Sequence, residues 1–344
     1  MRVTVFEVDD GEQGRWNGYL ERSRTATLYH RYEWRGLIRR VFGKHSLYLA
    51  ARDADGRWAG VLPLVHMKSP LFGNFMVSMP YVNYGGAIAD TPEVLQALVD
   101  AAQRKARELG CRHVEFRHDA PSELDLPVST RKVTMLLTLP ENEDALWSGF
   151  KPKLRAQIRR PEKAGAQFAI GGAELLREFY DVFAVNMRDL GTPVYTRRFF
   201  EAVLDTFSEA RVGVVRMEGK PVASGLVLGY GRRLEIPWAS SLRSHNKFSP
   251  NMMLYWRLLQ WALSNGYDTF DFGRCTRDSG TYRFKRQWGA EEHPLFWYYW
   301  LRDGGALPEL NADNPAFATL VALWRRLPVA VTRVMGPPIV KHLP

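Results

Sequence analysis

The chain is poor in cysteine and has no long apolar run. Its 2 cysteines, Cys111 and Cys275, show no CxxC or Cys/His spacing, which argues against a disulfide framework or a metal site and leaves them as reduced thiols. The 8 histidines have neither triad nor ligand spacing, so metal and Ser-His chemistry are both disfavoured. No apolar segment approaches the ~18 residues of a membrane-spanning helix. The opening MRVTVFEVDDGEQG lacks a basic stretch followed by an apolar one, so nothing directs export and the cytoplasm is expected. Low-complexity tracts are missing, as are RNP, KH and helix-turn-helix signatures, so a nucleic-acid-binding module has only charge and aromatics in its favour.

What remains is an ordinary globular composition with a basic excess. Hydrophobic residues make up 46% and charged residues 24% of 344 positions, enough for two domains at about 150 residues each. The net charge of +10 favours polyanionic partners without choosing among nucleic acid, anionic lipid and a phosphorylated small molecule.

The chain also repeats itself. A hairpin strand pair (LYLAARDADGRWAGVLPLVHM), a helix (TPEVLQALVDAAQRKARELG) and a strand (CRHVEFR) recur as VGVVRMEGKPVASGLVLGYG, SPNMMLYWRLLQWALSNG and YDTFDFGR. Aligning the helix-stopping Gly110 with Gly266 sets Glu115 opposite Asp271 and Phe116 opposite Phe272. So long a period means duplicated domains, because solenoid repeats run at roughly 20 to 50 residues. The predicted boundary lies at about residues 140 to 150, giving domains 1–145 and 146–303 and a basic amphipathic tail, 304–344, broken at Pro328 and Pro337-Pro338. The tail's Trp324, Arg325, Arg326, Arg333 and Lys341 interleave with apolar residues. That pattern suits docking on the protein itself, the preferred reading, and also peripheral contact with an anionic membrane.

The order hairpin, helix, strand predicts an α/β fold with mixed sheets, two tandem domains of the GNAT acyltransferase type, with a cleft at the N-terminus of each central helix. The segments KPKLRAQIRRPEKAG, SPN, DFGR and YRFKRQWG, following one another after a degenerate first copy, resemble the FemA/FemB/FemX family of tandem-GNAT transferases that add amino acids to peptidoglycan precursors. The wording RRPEKAG and DFGRCTRDSGTYRFKRQWGA is most similar to the FemAB-like branch associated with exosortase/PEP-CTERM exopolysaccharide loci. The resemblance covers roughly residues 25 to 300. No charged helical hairpin is inserted in the second half, which matches the shorter FemX architecture. The Arg/Gln-x-x-Gly-x-Gly/Ala turn of acetyl-CoA enzymes is replaced by HNKFSPN.

The resemblance implies transfer of an acyl or aminoacyl group to an amine on an envelope precursor. It implies no permanently bound cofactor and a donor that is an aminoacyl-tRNA or an acyl-CoA. The acceptor would be an anionic nucleotide- or lipid-linked glycan precursor. Lys285 holds the place of the family's Phe-Lys pair, where a cation meets charge developing in the transition state; a solvent-facing lysine is the alternative. Asp271, at a strand end, could take the attacking amine's proton or simply satisfy turn amides before Gly273. Lys151, Arg155 and Arg159 recur every four residues on a helix predicted to end at Pro161, with Lys153 beside them, and suit phosphate binding or a solvated face.

Tyr282 and Phe284 would stack on a sugar or base, or pack in the core. Ser249 is predicted to cap the SPN helix, with Asn251 at its N-terminus. Arg274 after the strand, Trp238 on RRLEIPWASS, and Asn83 with Tyr84 before Gly85-Gly86 complete the expected binding residues. Two other functions remain open: an acyl-CoA-dependent N-acyltransferase of an amino sugar, and a non-catalytic scaffold on nucleic acid or membrane.

Overall fold

The computed structural model describes residues 3–308 and 318–344. The chain forms two compact units, Met1–Val133 with Pro294–Glu309 and Lys341–Pro344, and Thr134–His293 with Leu310–Val340.

The first unit contains β1 (Thr4–Glu7), α1 (Gln13–Arg22), α2 (Glu33–Phe42), β2 (Ser46–Arg52), β3 (Trp58–Ser69), β4 (Gly73–Val77), β5 (Ile88–Ala89), α3 (Pro92–Glu108), β6 (His113–His118) and β7 (Val128–Ser129). Asp-Gly makes the β2–β3 turn: the Asp53 carboxylate accepts from the Asp55 and Arg57 amides, and Gly56 takes the left-handed φ that the turn needs. Thr91 caps α3 by accepting from the Val94 amide, with Pro92 at the first position, a combination whose cap alone contributes about 1 kcal/mol. The apolar face of α3 (Val94, Leu98, Ala102, Ala106) then covers the sheet residues Leu49, Leu62 and Val114, forming the core of this unit.

The second unit comprises β8 (Lys132–Thr138), α4 (Glu143–Gly149), α5 (Pro152–Lys163), β9 (Gln167–Gly171), α6 (Leu176–Leu190), α7 (Arg197–Thr206), β10 (Arg211–Met217), β11 (Lys220–Tyr230), β12 (Arg233–Ser241), α8 (Pro250–Ser264), β13 (Thr269–Thr276), α9 (Gly280–Arg286) and β14 (Glu291–Pro294). The aromatic strand β15 (Phe296–Leu301) follows, then α10 (Ala318–Trp324) and α11 (Val329–Val340).

The duplication is visible in the strand order. One sheet runs β1-β2-β3-β4-β6-β15-β7 and the other β14-β8-β13-β12-β11-β10-β9. Read from β1 and from β9, the same roles recur: hairpin, third strand, then a parallel strand reached through the central helix. Register matches as well, because Val77 pairs with Glu115 in one sheet and Glu235 with Asp271 in the other.

The strand beyond the parallel pair departs from the sequence-based division. β15 was expected to close the second domain but lies antiparallel to β6 in the first sheet, with Tyr298 and Trp300 in the first core. Conversely β8, expected to close the first domain, belongs to the second sheet, so the division falls at Val133 and Thr134 rather than at 140 to 150. An alternating strand fits either sheet equally well by pattern, so only long-range packing assigns it.

Prolines also differ from expectation. The helix α5 continues through Pro161 to Lys163, because Pro161 lies in its last turn, where the Pro161 carbonyl still accepts from Ala164 and Ala166. Similarly α11 runs through Pro337 and Pro338. The tail docks on its own unit: Arg333 pairs with Asp181 at 2.7 Å and stacks on Tyr180, while Arg188 donates to the Leu327 carbonyl at 3.0 Å.

Candidate active site

In the second unit β12 and β13 pair over Arg233–Glu235 and Thr269–Asp271, only the first residues of each strand. Beyond Glu235 and Asp271 the two strands part, and the N-terminus of α8 lies between their continuations in sequence. Parted parallel strands expose amides and carbonyls that a bound group can use.

The residues at the parting are tightly organised. Asp271 is fully buried: Oδ1 accepts from Thr134 Oγ1 at 2.6 Å and from the Gly273 amide at 2.8 Å, while Oδ2 pairs with Arg233 at 2.5 Å. Gly273 takes a left-handed φ of 74°, which glycine tolerates without strain, within β13. Lys285, delivered by α9 and only 7% exposed, donates from Nζ to the Gly273 carbonyl at 2.7 Å and the Arg274 carbonyl at 3.0 Å. Burial pushes its ammonium below the usual lysine range, while Cys275, Asp271 and Glu235 pull it back. The solvent-facing alternative for Lys285 is thereby removed.

The basic helix lies beside this point. Phe150, immediately before α5, packs edge-on against Trp288 at 5.5 Å, and Trp288 follows Lys285 by one turn of chain. Leu154, Ile158 and Pro161 form the buried face of α5. Lys151, Lys153 and Arg159 are exposed and Arg155 half-buried, with the Arg159 guanidinium over the Trp147 ring at 5.0 Å. The start of α5 and the YRFKRQWG segment thus meet through Phe150, just before α5, and Trp288.

Other expected contacts are committed to the protein. The Tyr282 hydroxyl donates to Glu292 at 2.6 Å, and Phe284 packs edge-on against Tyr255 at 5.0 Å. Trp238 is buried against Phe199 and Phe200, both with ring centroids 5.3 Å away, so it belongs to the core. Ser249 occupies the cap position of α8 but its side chain caps no amide. Its φ of 58° is left-handed, and its carbonyl accepts from the Met252 amide instead. Strain of this kind in a non-glycine residue concentrates at ligand-holding loops. Asn251, half-buried, begins the helix after Pro250.

In the first unit, Glu115 stands where Asp271 stands in the second and is likewise buried on an arginine, Arg117, at 2.5 Å. Tyr84 is buried against Tyr29, and the Gly85 amide donates to the Arg117 carbonyl. Sequence reasoning missed a cavity of about 260 Å³ here, at the N-terminus of α3, lined by His30, Gly86, Asp90, Thr91, His118 and Glu123 among others. Burial holds His30 down to about 4 and His118 down to about 3, so both are neutral. Their approach is non-local, and no spacing announced it. Asn83 is half-buried on the loop leading into this region.

Residues 148–286 match the acetyltransferase (GNAT) domain family. The chain shares its fold with the FemX crystal structure at a TM-score of 0.65 and 16% identity, over 86% of this chain and 97% of that one. The chain has a tandem GNAT fold. A tandem GNAT protein from the clavulanic acid pathway also superposes, with a TM-score of 0.56 at 13% identity over 89% of this chain and 100% of the other. By sequence the chain is similar to the UDP-N-acetylmuramoylpentapeptide-lysine N(6)-alanyltransferase of Weissella viridescens, 26% identical over 45% of this chain and 48% of that protein. It is also similar to a lipid II:glycine glycyltransferase of Staphylococcus epidermidis, 20% identical over 59% of this chain and 65% of that protein. The matches thus span about half to two thirds of the curated relatives' lengths.

Proposed function

We propose that this Fem-like chain transfers an aminoacyl group to an amine on an anionic envelope precursor, with the parted β12/β13 strands as the site of transfer. The observation that carries this reading is the buried Lys285 cation, fixed on the Gly273 and Arg274 carbonyls of β13, with a basic helix packed beside it. A cation held in place before the reaction stabilises an anionic tetrahedral intermediate without reorganising. Arg155 and Arg159, with Lys151 and Lys153, supply the charge that a diphosphate-linked acceptor needs. Asp271 acts by orienting the Gly273 turn; its lone pairs are occupied by Thr134, Gly273 and Arg233, so the amine's proton leaves to another acceptor, such as substrate or water.

The relatives' names specify alanyl and glycyl transfer to a pentapeptide lysine and to lipid II, which favours an aminoacyl-tRNA as donor over an acyl-CoA. The absence of the pyrophosphate-cradling turn at HNKFSPN points the same way. RRPEKAG and DFGRCTRDSGTYRFKRQWGA favour an exopolysaccharide precursor, in the exosortase-associated branch, as the glycan carried by the acceptor. This reading places the enzyme in the cytoplasm, peripheral to the inner membrane. The test offers the purified chain charged tRNA or acyl-CoA together with nucleotide-linked or lipid-linked amino acceptors, followed by mass spectrometry. Aminoacylated acceptor formed only with tRNA supports the reading. Acylated amino sugar formed from acyl-CoA, with no product from tRNA, overturns it.

A further inference from the structure

The docked tail leaves an apolar face without a partner among the described residues. On α11, Thr332, Gly336 and Val340 are buried, one residue per turn, and Gly336 lies so close to the Val194 backbone that a Cβ there would clash. The opposite face presents Val331 (37% exposed), Val334 (74%), Met335 (48%) and then exposed Pro338, the i, i+3, i+4, i+7 spacing of a single helical stripe. On α10, Leu320 (62%) and Leu323 (55%) extend the surface, and Leu190 (45%) at the end of α6 adds to it, tied to α10 by the Arg325 bond to its carbonyl. Six large exposed apolar side chains gathered on one region exceed what scattered surface residues explain.

Basic residues border this surface. Exposed Arg325 and Arg326 stand between α10 and α11, and exposed Arg243 reaches the Asp189 carbonyl beside Leu190. The nearby carboxylates are already paired, Asp181 with Arg333 and Asp189 with Arg188. With 12 residues, α11 is far shorter than the ~20 a spanning helix requires, a length suited to lying in an interface.

We infer that the outer face of α10 and α11 seats the protein on an anionic bilayer, with Val331, Val334, Met335 and Leu320 entering the headgroup region and Arg325 and Arg326 meeting lipid phosphates. The inference extends the proposed function by bringing the chain to the membrane where a lipid-linked acceptor would reside. Membrane binding itself requires neither donor nor acceptor, so the two readings fail separately.

The test is flotation of the full chain with acceptor-free vesicles, either pure phosphatidylcholine or equimolar phosphatidylcholine and phosphatidylglycerol. Binding is expected on the phosphatidylglycerol vesicles and should weaken as salt rises. The double variant Val334→Asp/Met335→Asp should bind at least about tenfold more weakly, and Arg325→Gln/Arg326→Gln roughly tenfold more weakly. Thermal transitions matching the parent confirm folding; if the aspartate variant unfolds, Val331→Asn with Met335→Gln makes the same comparison with smaller changes. Absent flotation, or flotation unchanged in the apolar variants, overturns the inference. So does a lipid-free dimer, seen by ultracentrifugation, that these variants convert to monomer, since a second copy would then cover the face. Transfer to a detergent-solubilised acceptor without any flotation would leave the proposed function standing and this inference refuted.

Discussion

Lys285 and Asp271 lie two hydrogen bonds apart at Gly273 of β13, yet their removal should read differently. Lys285→Ala is expected to cut turnover by roughly ten- to a thousandfold, the scale of losing one oxyanion-stabilising group. Arg155→Ala or Arg159→Ala, on an accessible helix face, should raise KM several-fold with turnover nearly kept. Asp271→Asn removes the charge from a fully buried carboxylate paired with Arg233, so the expected result is about 3 kcal/mol lost in urea unfolding. Stability equal to the parent, with turnover abolished, would instead make Asp271 the base.

The histidines of the first unit give a pH prediction of known sign. His30 and His118 titrate near 4 and 3 when folded, against an ordinary 6.5 unfolded. The unfolded chain therefore binds protons that the folded chain refuses, so stability is full above about pH 6.5 and declines as pH falls toward 4. A loss on the order of 5 kcal/mol from the two histidines together is expected from urea midpoints taken between pH 7.5 and 4.5. His118→Phe should flatten that dependence.

Among the elements, α11 was legible as amphipathic and basic, but its two faces were not separable from sequence. Gly336 separates them, because its missing Cβ lets the helix approach Val194 closely. Gly336→Leu should undock the tail and cost about 1 to 3 kcal/mol, the range for overpacking, read by thermal unfolding and by protease cleavage before Pro328. The helix α8 presents the opposite case. Its Ser-Pro start was read correctly as a helix N-terminus, yet the expected cap fails because Ser249 is left-handed. Backbone conformation at a single junction depends on the loop it closes, which propensity does not see.

At the scale of the molecule, each sheet takes the strand beyond its parallel pair, β15 or β8, from the other half of the sequence. Residues 1–133 produced alone would leave the β6 edge bare and the Tyr298 and Trp300 sites in the first core empty. That fragment is expected to aggregate, whereas joining Pro294–Glu309 to it through a flexible linker should restore a soluble, cooperative unit, measured by gel filtration and thermal denaturation. A soluble, cooperatively folded 1–133 fragment would show that β15 is dispensable.

The sequence by itself determined the duplication, the hairpins, the starts and stops of the central helices and the aligned acids Glu115 and Asp271. Each of these is written in neighbouring residues: Asp-Gly turns, Thr-Pro and Ser-Pro starts, glycine stops and repeated periodicity. It also singled out KPKLRAQIRR, DFGR and YRFKRQWG, the segments on which the proposed site rests. Only the tertiary structure decided that β8 and β15 exchange sheets, that Lys285 is buried on two carbonyls, that His30 and His118 share a cavity, and that the tail keeps an apolar face outward. Those outcomes depend on which distant surfaces meet. A strand's alternation, a lysine's charge and a helix's stripe are identical in the chain whichever partner they find, and packing energy summed over the whole fold makes the choice.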